Sequence, residues 1–389
     1  MKRWDIFCKI VDNFGDIGVC WRLARQLQVE HGLQIRLWID DLAAAKKIIT
    51  GLNINKNSQF YEKINILKWY EGADFSQSAD MVIEAFACEL PAAYLATMAK
   101  NKSKWINLEY LSAETWVDDF HAKPSPQGFL NSNSGLIRYF YFPGFTEKTG
   151  GLIREREVAE ETQNQPDTSF PRKRESMLNF HQKWIPAFAG MTEDERLENV
   201  VKISLFCYQN APIKDLFAAL QANTHKVDVY VPASIILSQI ADFFDVEIID
   251  VGDYFTRENL HVHILPFLSQ PDYDALLRDC DLNFVRGEDS WVRAIWAGKP
   301  FIWQPYIQDE NTHVVKLNAF LELFYGQYDK KQLPCEAHRY WSAGHMPKHV
   351  LDAYLNDLKA IRAHTQLQSK QLTQQADLAT KLVAFCNNC

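Results

Sequence analysis

One turn carries Asp12, Asn13, Phe14, Gly15, Asp16, Ile17 and Gly18 between an apolar run and a stretch with helical spacing. Two carboxylates four residues apart share it with an amide and two glycines, and the glycines let a substrate come close to the backbone. An aspartate ahead of a helix is also a favoured N-cap. Capping accounts for one of the two acids and leaves the second unexplained, so Asp12 and Asp16 are both candidates for direct chemistry. The glycine fingerprint of dinucleotide-binding folds is absent, so a nicotinamide or flavin enzyme is not indicated.

A second group is Arg286, Gly287, Glu288, Asp289 and Ser290, where a strand ends and a helix is expected to begin at Ser290. Helix N-termini offer unpaired N–H groups and a positive dipole end, which suit a pyrophosphate. Arg286 adds a charge-assisted donor, and Ser290 is both a cap and a phosphate ligand. Glu288 repels phosphate by charge and suits sugar or ribose hydroxyls instead. Upstream, Phe267 and Tyr273 can stack on a nucleobase, while Gln270 offers one donor and one acceptor to its amide edge. Tyr208, after another strand, is a candidate phosphate contact. Downstream come Gly298-Lys299-Pro300, an apolar run, Gln304-Pro305 and Asp309-Glu310-Asn311. That order of turn, buried strand and acidic or amide cluster resembles the nucleotide-sugar region of two-domain glycosyltransferases.

The elements that must position these groups read as two βα arrays in series. Short runs rich in β-branched and aromatic residues alternate with helical stretches, the pattern of parallel sheets covered by helices. Strand candidates in the first half are 5–11, 34–39, 81–85 and 104–108, and residues 17–28 have one apolar stripe through Val19, Leu23 and Leu27. In the second half strands are expected at 201–207, 226–231, 262–267, 283–286 and 301–303, with helices over 275–279, 290–297 and 313–323. The fold class is α/β: two Rossmann-like domains facing across a cleft, with ligands at the carboxyl ends of the strands. The expected division is 1–156 as the acceptor-side domain with the catalytic loop and 200–350 as the nucleotide-sugar domain. Helices in 351–389 are expected to pack back on the first domain. Residues 157–199 mix a polar stretch, the basic Phe170-Pro171-Arg172-Lys173-Arg174-Glu175-Ser176 and an apolar stretch broken by Pro186 and Gly190. They read as an interdomain insertion similar to the translated product of a dispersed genomic repeat. A basic nucleic-acid patch is the rival reading.

A chain of 389 residues suits two domains, and 47% hydrophobic with 23% charged residues is ordinary for a soluble enzyme. The net charge of −8 disfavours nucleic acid as a partner and favours a basic face on any protein partner. Asp5, Lys9 and Asp12 interrupt the first apolar stretch, and no run approaches the roughly 20 residues of a membrane span, so a cytoplasmic protein is expected. Of eight cysteines only Cys386 and Cys389 form a CxxC, with no second pair, so neither metal nor redox chemistry is expected.

Asp5-Ile6-Phe7-Cys8, the turn from Val11 to Val19 and Trp21-Arg22-Leu23-Ala24-Arg25 together resemble the EarP family, the protein-arginine rhamnosyltransferases acting on elongation factor P. Glu84-Ala85-Phe86-Ala87-Cys88, Glu109-Tyr110-Leu111-Ser112-Ala113-Glu114, Pro124-Ser125-Pro126-Gln127, Gly150-Gly151-Leu152-Ile153-Arg154-Glu155 and Arg286–Ser290 extend the likeness over nearly the whole chain apart from the insertion. The resemblance implies a GT-B architecture, a dTDP-β-L-rhamnose co-substrate, no cofactor, no metal, elongation factor P as partner and an inverted, α-linked rhamnosyl-arginine. It implies three catalytic residues: Asp16 as general base, Asp12 as its supporting carboxylate and Glu288 near the sugar. Asn13, Phe14 and Gly15 fall to the donor side, Phe267, Gln270 and Tyr273 surround the thymine, and Tyr208, Arg286, Asp289 and Ser290 lie near the pyrophosphate. A glycosyltransferase with a small-molecule or lipid acceptor would share the donor half. A non-catalytic nucleotide-sugar or translation-factor binding protein would not need both Asp12 and Asp16.

Overall fold

A computed structural model describes residues 2–12, 14–125, 135–163 and 200–388. Asn13, Pro126, Gln127 and the insertion at 163–192 therefore fall wholly or almost wholly outside the described residues. In chain order the elements begin β1 (Arg3–Cys8), α1 (Gly15–His31), β2 (Gln34–Ile39), α2 (Leu42–Ile48), β3 (Ser58–Tyr61), β4 (Ile64–Lys68) and β5 (Met81–Ala85). There follow α3 (Ala92–Asn101), β6 (Lys104–Leu108), α4 (Val117–Phe120), β7 (Arg138–Tyr141) and α5 (Arg156–Gln163). The later segment holds β8 (Val200–Leu205), α6 (Ile213–Gln221), β9 (Lys226–Pro232), α7 (Leu237–Phe244), β10 (Tyr254–Arg257) and β11 (Leu260–Leu265). It continues with α8 (Gln270–Asp279), β12 (Leu282–Arg286), α9 (Asp289–Ala297), β13 (Phe301–Gln304) and α10 (Thr312–Tyr325). Four helices close it: α11 (Gln332–Ser342), α12 (Lys348–Asn356), α13 (Leu358–Thr373) and α14 (Leu378–Asn388).

The chain divides into two units. Unit 1 comprises Met1–Ala159, Asp309–Leu323 and Gln371–Cys389; unit 2 comprises Glu160–Gln308 and Phe324–Lys370. Among the described residues, unit 1 is built on a seven-stranded sheet in the order β3-β4-β2-β1-β5-β6-β7. All its pairings are parallel except β3 with β4. Strand β1 is buried along nearly its whole length, as a parallel strand covered on both faces must be. Its side chains alternate: Ile6 and Cys8 join one core with Leu23, Leu37 and Ile83, while Phe7 joins another with Trp38, Val82 and Trp105. The register sets Phe7 beside Trp38, and their rings stack with centroids 5.3 Å apart. Helix α1 stops at Gly32, which takes the left-handed conformation at φ 64° and returns its N–H to the Leu27 carbonyl.

The motif from Gly150 to Glu155 has a structural task in unit 1. The Leu378 N–H donates to the Leu152 carbonyl at 2.9 Å, and the Arg154 guanidinium donates to the carbonyls of Leu372 and Gln375 at 3.0 and 2.9 Å. Gln26 ties the same corner through the Arg154 carbonyl and Asp377. These bonds seat α14, which buries Leu378, Ala379, Leu382 and Cys386 in the core around α1. Each leucine contributes about 1.5–3 kcal/mol of transfer free energy. Gly151 has φ +76°, and a Cβ there would lie 2.6 Å from the Ala376 carbonyl oxygen. Gly151→Ala is expected to cost on the order of 2 kcal/mol or more. The expected readout is a lowered melting temperature in calorimetry; an unchanged value would show that the corner gives way freely.

Unit 2 is built, among the described residues, on six strands in the order β10-β11-β9-β8-β12-β13. Its pairings are parallel except at the β10 edge. Val201, Ile203, Val229, Val262, Phe284 and Ile302 from the sheet pack with Leu216 and Phe217 of α6 and with Trp341, Leu351 and Tyr354 of the later helices.

Strands β2, β5 and β6 have the expected limits, whereas β1 ends at Cys8 rather than Val11. The Ile10 N–H donates to Asp40, and the Val11 and Asp12 N–H groups donate to Asp16, so these amides serve carboxylates rather than a ladder. Strand β11 likewise ends at Leu265, ahead of Pro266, which has no N–H to give.

Candidate active site

Both sheets have a point at which the chain reverses its direction of travel across the sheet, and ligands of open α/β sheets bind outside the strand ends there. In unit 1 that point lies between β1 and β5; in unit 2 it lies between β8 and β12. Asp12 and Asp16 follow β1, while Arg286 ends β12 and Tyr208 follows β8.

Asp16 occupies the second position of α1 and is buried, with 2% of its surface exposed. It does not cap the helix, the role open to one of the two acids: Phe14 holds the N-cap position and makes no side-chain cap bond. The Asp16 carboxylate instead reaches back, and its Oδ2 accepts the Val11 and Asp12 N–H groups at 2.7 and 2.9 Å. Its Oδ1 lies 3.5 Å from the Tyr110 hydroxyl. Burial pushes the Asp16 pKa above its ordinary value, and the charge of Asp12 adds to the rise. The two backbone N–H groups and Tyr110 oppose it without cancelling it.

The turn is shaped around the second acid. The Gly15 N–H donates to the Asp12 carbonyl at 2.7 Å, and the Gly18 N–H to the Phe14 carbonyl at 2.9 Å. A Cβ on Gly15 would meet Asp12 Oδ2 at 2.8 Å, so glycine leaves room for that carboxylate. The Phe14 ring has the Lys47 ammonium 5.4 Å from its centroid. Phe86 and Tyr110, which follow β5 and β6, stack at 4.4 Å. Lys316 of α10 lies 5.3 Å from the Tyr110 ring centre. Beside Tyr110, burial raises the Glu109 pKa, and its carboxylate accepts the Asn107 amide N–H at 2.5 Å.

In unit 2 the Arg286 guanidinium is buried beside two rings, 4.7 Å from the Phe206 centroid and 4.4 Å from that of Tyr208. The Tyr208 N–H donates to Gln304 Oε1 at 2.8 Å, and Gln304, opposite Arg286 in the ladder, donates to Asn210 Oδ1 at 3.2 Å. Gly287 turns the chain at φ 61°, and its carbonyl accepts the Trp303 indole N–H at 2.8 Å. The helix begins at Asp289, one residue before the expected Ser290, and Glu288 holds the cap position without a side-chain cap bond. Ser290 is therefore not the cap. Its Oγ accepts the Arg286 N–H at 3.0 Å and donates to the Arg286 carbonyl, so the hydroxyl hydrogen is committed inside the turn that aims the arginine. Gln270 Nε2 donates to Asp289 Oδ2 at 3.1 Å, which joins two of the expected donor residues. Tyr273 packs against Phe206 with centroids 5.5 Å apart, and Phe267 sits in the loop between β11 and α8, partly exposed.

The arrangement brings Asp12, Phe14, Gly15 and Asp16 together in unit 1, and Tyr208, Gln270, Tyr273, Arg286, Glu288, Asp289 and Ser290 around one strand end in unit 2. Sequence reading missed Phe206 and Gln304 as partners of Arg286 and Tyr208, and missed Tyr110 as the neighbour of Asp16. The signals available were the strand-ending Gln304-Pro305 and the Glu109-Tyr110 motif. Among the described residues no group of three His, Cys, Asp or Glu side chains is placed to hold a metal. No described helix is long and apolar enough to cross a membrane.

The family model for the elongation factor P rhamnosyltransferase EarP matches residues 4–387. A protein-arginine rhamnosyltransferase of Pseudomonas aeruginosa is 39% identical over 395 residues, covering 99% of each chain. A solved structure described as the basis for EarP-mediated arginine glycosylation of elongation factor EF-P superposes with a TM-score of 0.66 at 31% identity, covering 100% of this chain and 99% of that one. MurG of Acinetobacter baumannii, at 11% identity and a TM-score of 0.50 over the full length of both chains, shares the fold, which is the GT-B class of α/β glycosyltransferases. With a family match over nearly its whole length and relatives above 30% identity, the chain belongs to the EarP family of elongation factor P rhamnosyltransferases.

Proposed function

We propose that this glycosyltransferase moves L-rhamnose from dTDP-β-L-rhamnose to an arginine side chain of elongation factor P, in the cytoplasm, with inversion at the anomeric carbon and without a metal or cofactor. The observation that carries the mechanism is the buried carboxylate of Asp16, oriented by two backbone N–H groups beside Asp12. A guanidinium stays protonated, with a pKa above about 12, and is a poor nucleophile. Asp16 accepts a proton from the attacking nitrogen as the N–C1 bond forms, and Asp12 orients the arginine. The bond from C1 to the diphosphate oxygen breaks on the opposite face, so its electron pair leaves with dTDP and the configuration inverts. The product guanidinium keeps one positive charge, and the proton passes from Asp16 to solvent. Because a carboxylate also favours the charged guanidinium before reaction, its benefit lies in geometry and transition-state charge.

The donor is assigned to unit 2. Arg286, supported by the N-terminal dipole of α9, stabilises the leaving diphosphate. Phe267, Gln270 and Tyr273 hold the thymine, with Tyr208, Asp289 and the backbone N–H of Ser290 toward the pyrophosphate and Glu288 toward the sugar hydroxyls. Incubation with elongation factor P and dTDP-rhamnose is expected to add one deoxyhexose mass to an arginine, with or without EDTA, by intact-mass and fragment analysis. An unchanged mass with folded enzyme and verified donor would refute the acceptor assignment. Loss in EDTA that magnesium restores would refute metal independence.

A further inference from the structure

The neighbourhood of Asp16 holds a further set of contacts beyond the two backbone N–H groups. Only Oδ2 of Asp16 takes the two backbone N–H groups; Oδ1 faces the Tyr110 hydroxyl at 3.5 Å. That distance is at the long limit for an O–H···O bond, and catalytic hydrogen bonds tighten when substrate arrives. The Tyr110 ring stacks on Phe86, and Phe86 belongs to a turn of unusual backbone. Phe86, Ala87 and Glu89 have φ of 56°, 51° and 60°, in the left-handed region that side chains other than glycine avoid.

Bonds to three other segments or side chains hold the turn in that conformation, beside the Cys88 N–H donating to the Ala85 carbonyl within it at 3.2 Å. The Phe86 N–H donates to the Leu108 carbonyl at 2.7 Å, the Ala87 N–H to Asn107 Oδ1 at 3.0 Å, and the Glu89 N–H to Oε1 of the buried Glu84 at 2.9 Å. Residues held in such conformations cluster at functional sites, where the surroundings fix them. The strained turn after β5 presses Phe86 against Tyr110, and Tyr110 faces Asp16.

We propose that Tyr110, backed by Phe86, is a positioning residue that fixes the second carboxylate oxygen of Asp16 in the orientation needed to accept the acceptor's proton. The proposal rests on the reading of Asp16 as the proton acceptor. With Oδ2 pinned, a donor on Oδ1 sets the plane of the carboxylate and the lone pair it presents. The hydroxyl also favours the ionised form of Asp16, so its removal raises the pKa at which the base is lost. The other titratable groups near Asp16 are Asp12 and Cys8, and those around Tyr110 are Glu109 and Lys316. Glu109 is itself raised by burial, so Glu109→Gln serves as the control background.

The test is the pH profile of kcat/KM for Tyr110→Phe, which keeps the ring and its stack. The acid limb is expected to move up by about half a unit and kcat to fall about tenfold. Melting temperature and calorimetric affinity for dTDP are expected to stay unchanged, and the same limb shift is expected in the Glu109→Gln background. Phe86→Leu, with the hydroxyl present but unsupported, is expected to shift the limb in the same direction. Incorporation of 3-fluorotyrosine at 110 strengthens the donor and is expected to move the limb down, which tests the idea even if Tyr110→Phe folds poorly. An unmoved limb in Tyr110→Phe, or shifts of one sign for both tyrosine replacements, would overturn the proposal while normal transfer by the unsubstituted protein upheld the functional reading. Absence of transfer by the unsubstituted protein would overturn both.

Discussion

Asp16→Asn is expected to lower turnover at least about a hundredfold, the lower reach of general-base catalysis, with affinity for dTDP unchanged. Asparagine keeps the shape, and its amide oxygen can still accept the Val11 and Asp12 N–H groups that Asp16 Oδ2 accepts, so the loop should hold. What is lost is basicity. A structural carboxylate and a catalytic one differ further in stability. Burial raises the folded-state pKa of Asp16 above its ordinary value, so the folded chain keeps this proton to higher pH than the unfolded chain does. Stability therefore falls as pH rises from the ordinary carboxylate range through the raised value, and above it the buried charge weakens the fold. Asp16→Asn removes that charge, so the melting temperature at neutral pH should stay level or rise while turnover collapses. In the unsubstituted enzyme, kcat/KM should decline as pH falls through the same raised value, because the base becomes protonated. Single-turnover rates, calorimetry and titration with dTDP on one preparation measure all of this. Normal turnover, or a large fall in melting temperature, would assign Asp16 to structure alone.

Arg286→Ala is expected to act on the other substrate. A charge-assisted bond to phosphate contributes about 1.5–3 kcal/mol, which corresponds to a weakening of dTDP binding of roughly 10- to 150-fold. The guanidinium lies over both Phe206 and Tyr208, and this geometry makes lysine a poor substitute. Arg286→Lys keeps the charge but loses the planar group that stacks on a ring and grips two oxygens. It should recover only part of the affinity. Both variants should bind elongation factor P as the unsubstituted enzyme does. If dTDP binds Arg286→Ala with full affinity, or if Asp16→Asn loses dTDP while Arg286→Ala retains it, the division of labour between the units is wrong.

Much of the frame was legible because parallel strands buried on both faces read as short, dense apolar runs, as at Met81–Ala85 and, with an expected end two residues too late at Cys207, at Val200–Leu205. The β3–β4 hairpin was not legible. Its turn is Glu62-Lys63, at φ 47° and 63°, where a tight hairpin turn ordinarily announces itself with asparagine or glycine. The aspartate pair stood out because two acids and two glycines in one turn need a reason. Its geometry did not, because Asp16 bonds backward to the loop instead of capping its helix. Ser290 shows the same limit: a serine at a strand-to-helix junction reads as a cap, yet its bonds go to the backbone of Arg286 four residues earlier. Tyr110 and Phe86 lie 94 and 70 residues from Asp16, and strand order alone brings them beside it. No local spacing encodes that meeting.

The corner at Gly150–Glu155 also sets the order in which the protein can be completed during synthesis. Unit 1 draws one of its segments, Gln371–Cys389, from chain made after the whole of unit 2. Until then the surface of α1 that receives Leu378, Ala379, Leu382 and Cys386 is open, and Leu152 and Arg154 lack the partners they hold in the finished fold. A nascent chain emerging from the ribosome therefore presents a sheet able to form early, with an apolar flank exposed while the second unit folds. The turn from Asp12 to Asp16 leads into α1, the helix that α14 covers. The turn that carries Asp12 and Asp16 thus gains its full structural support only after the whole of unit 2 has been made.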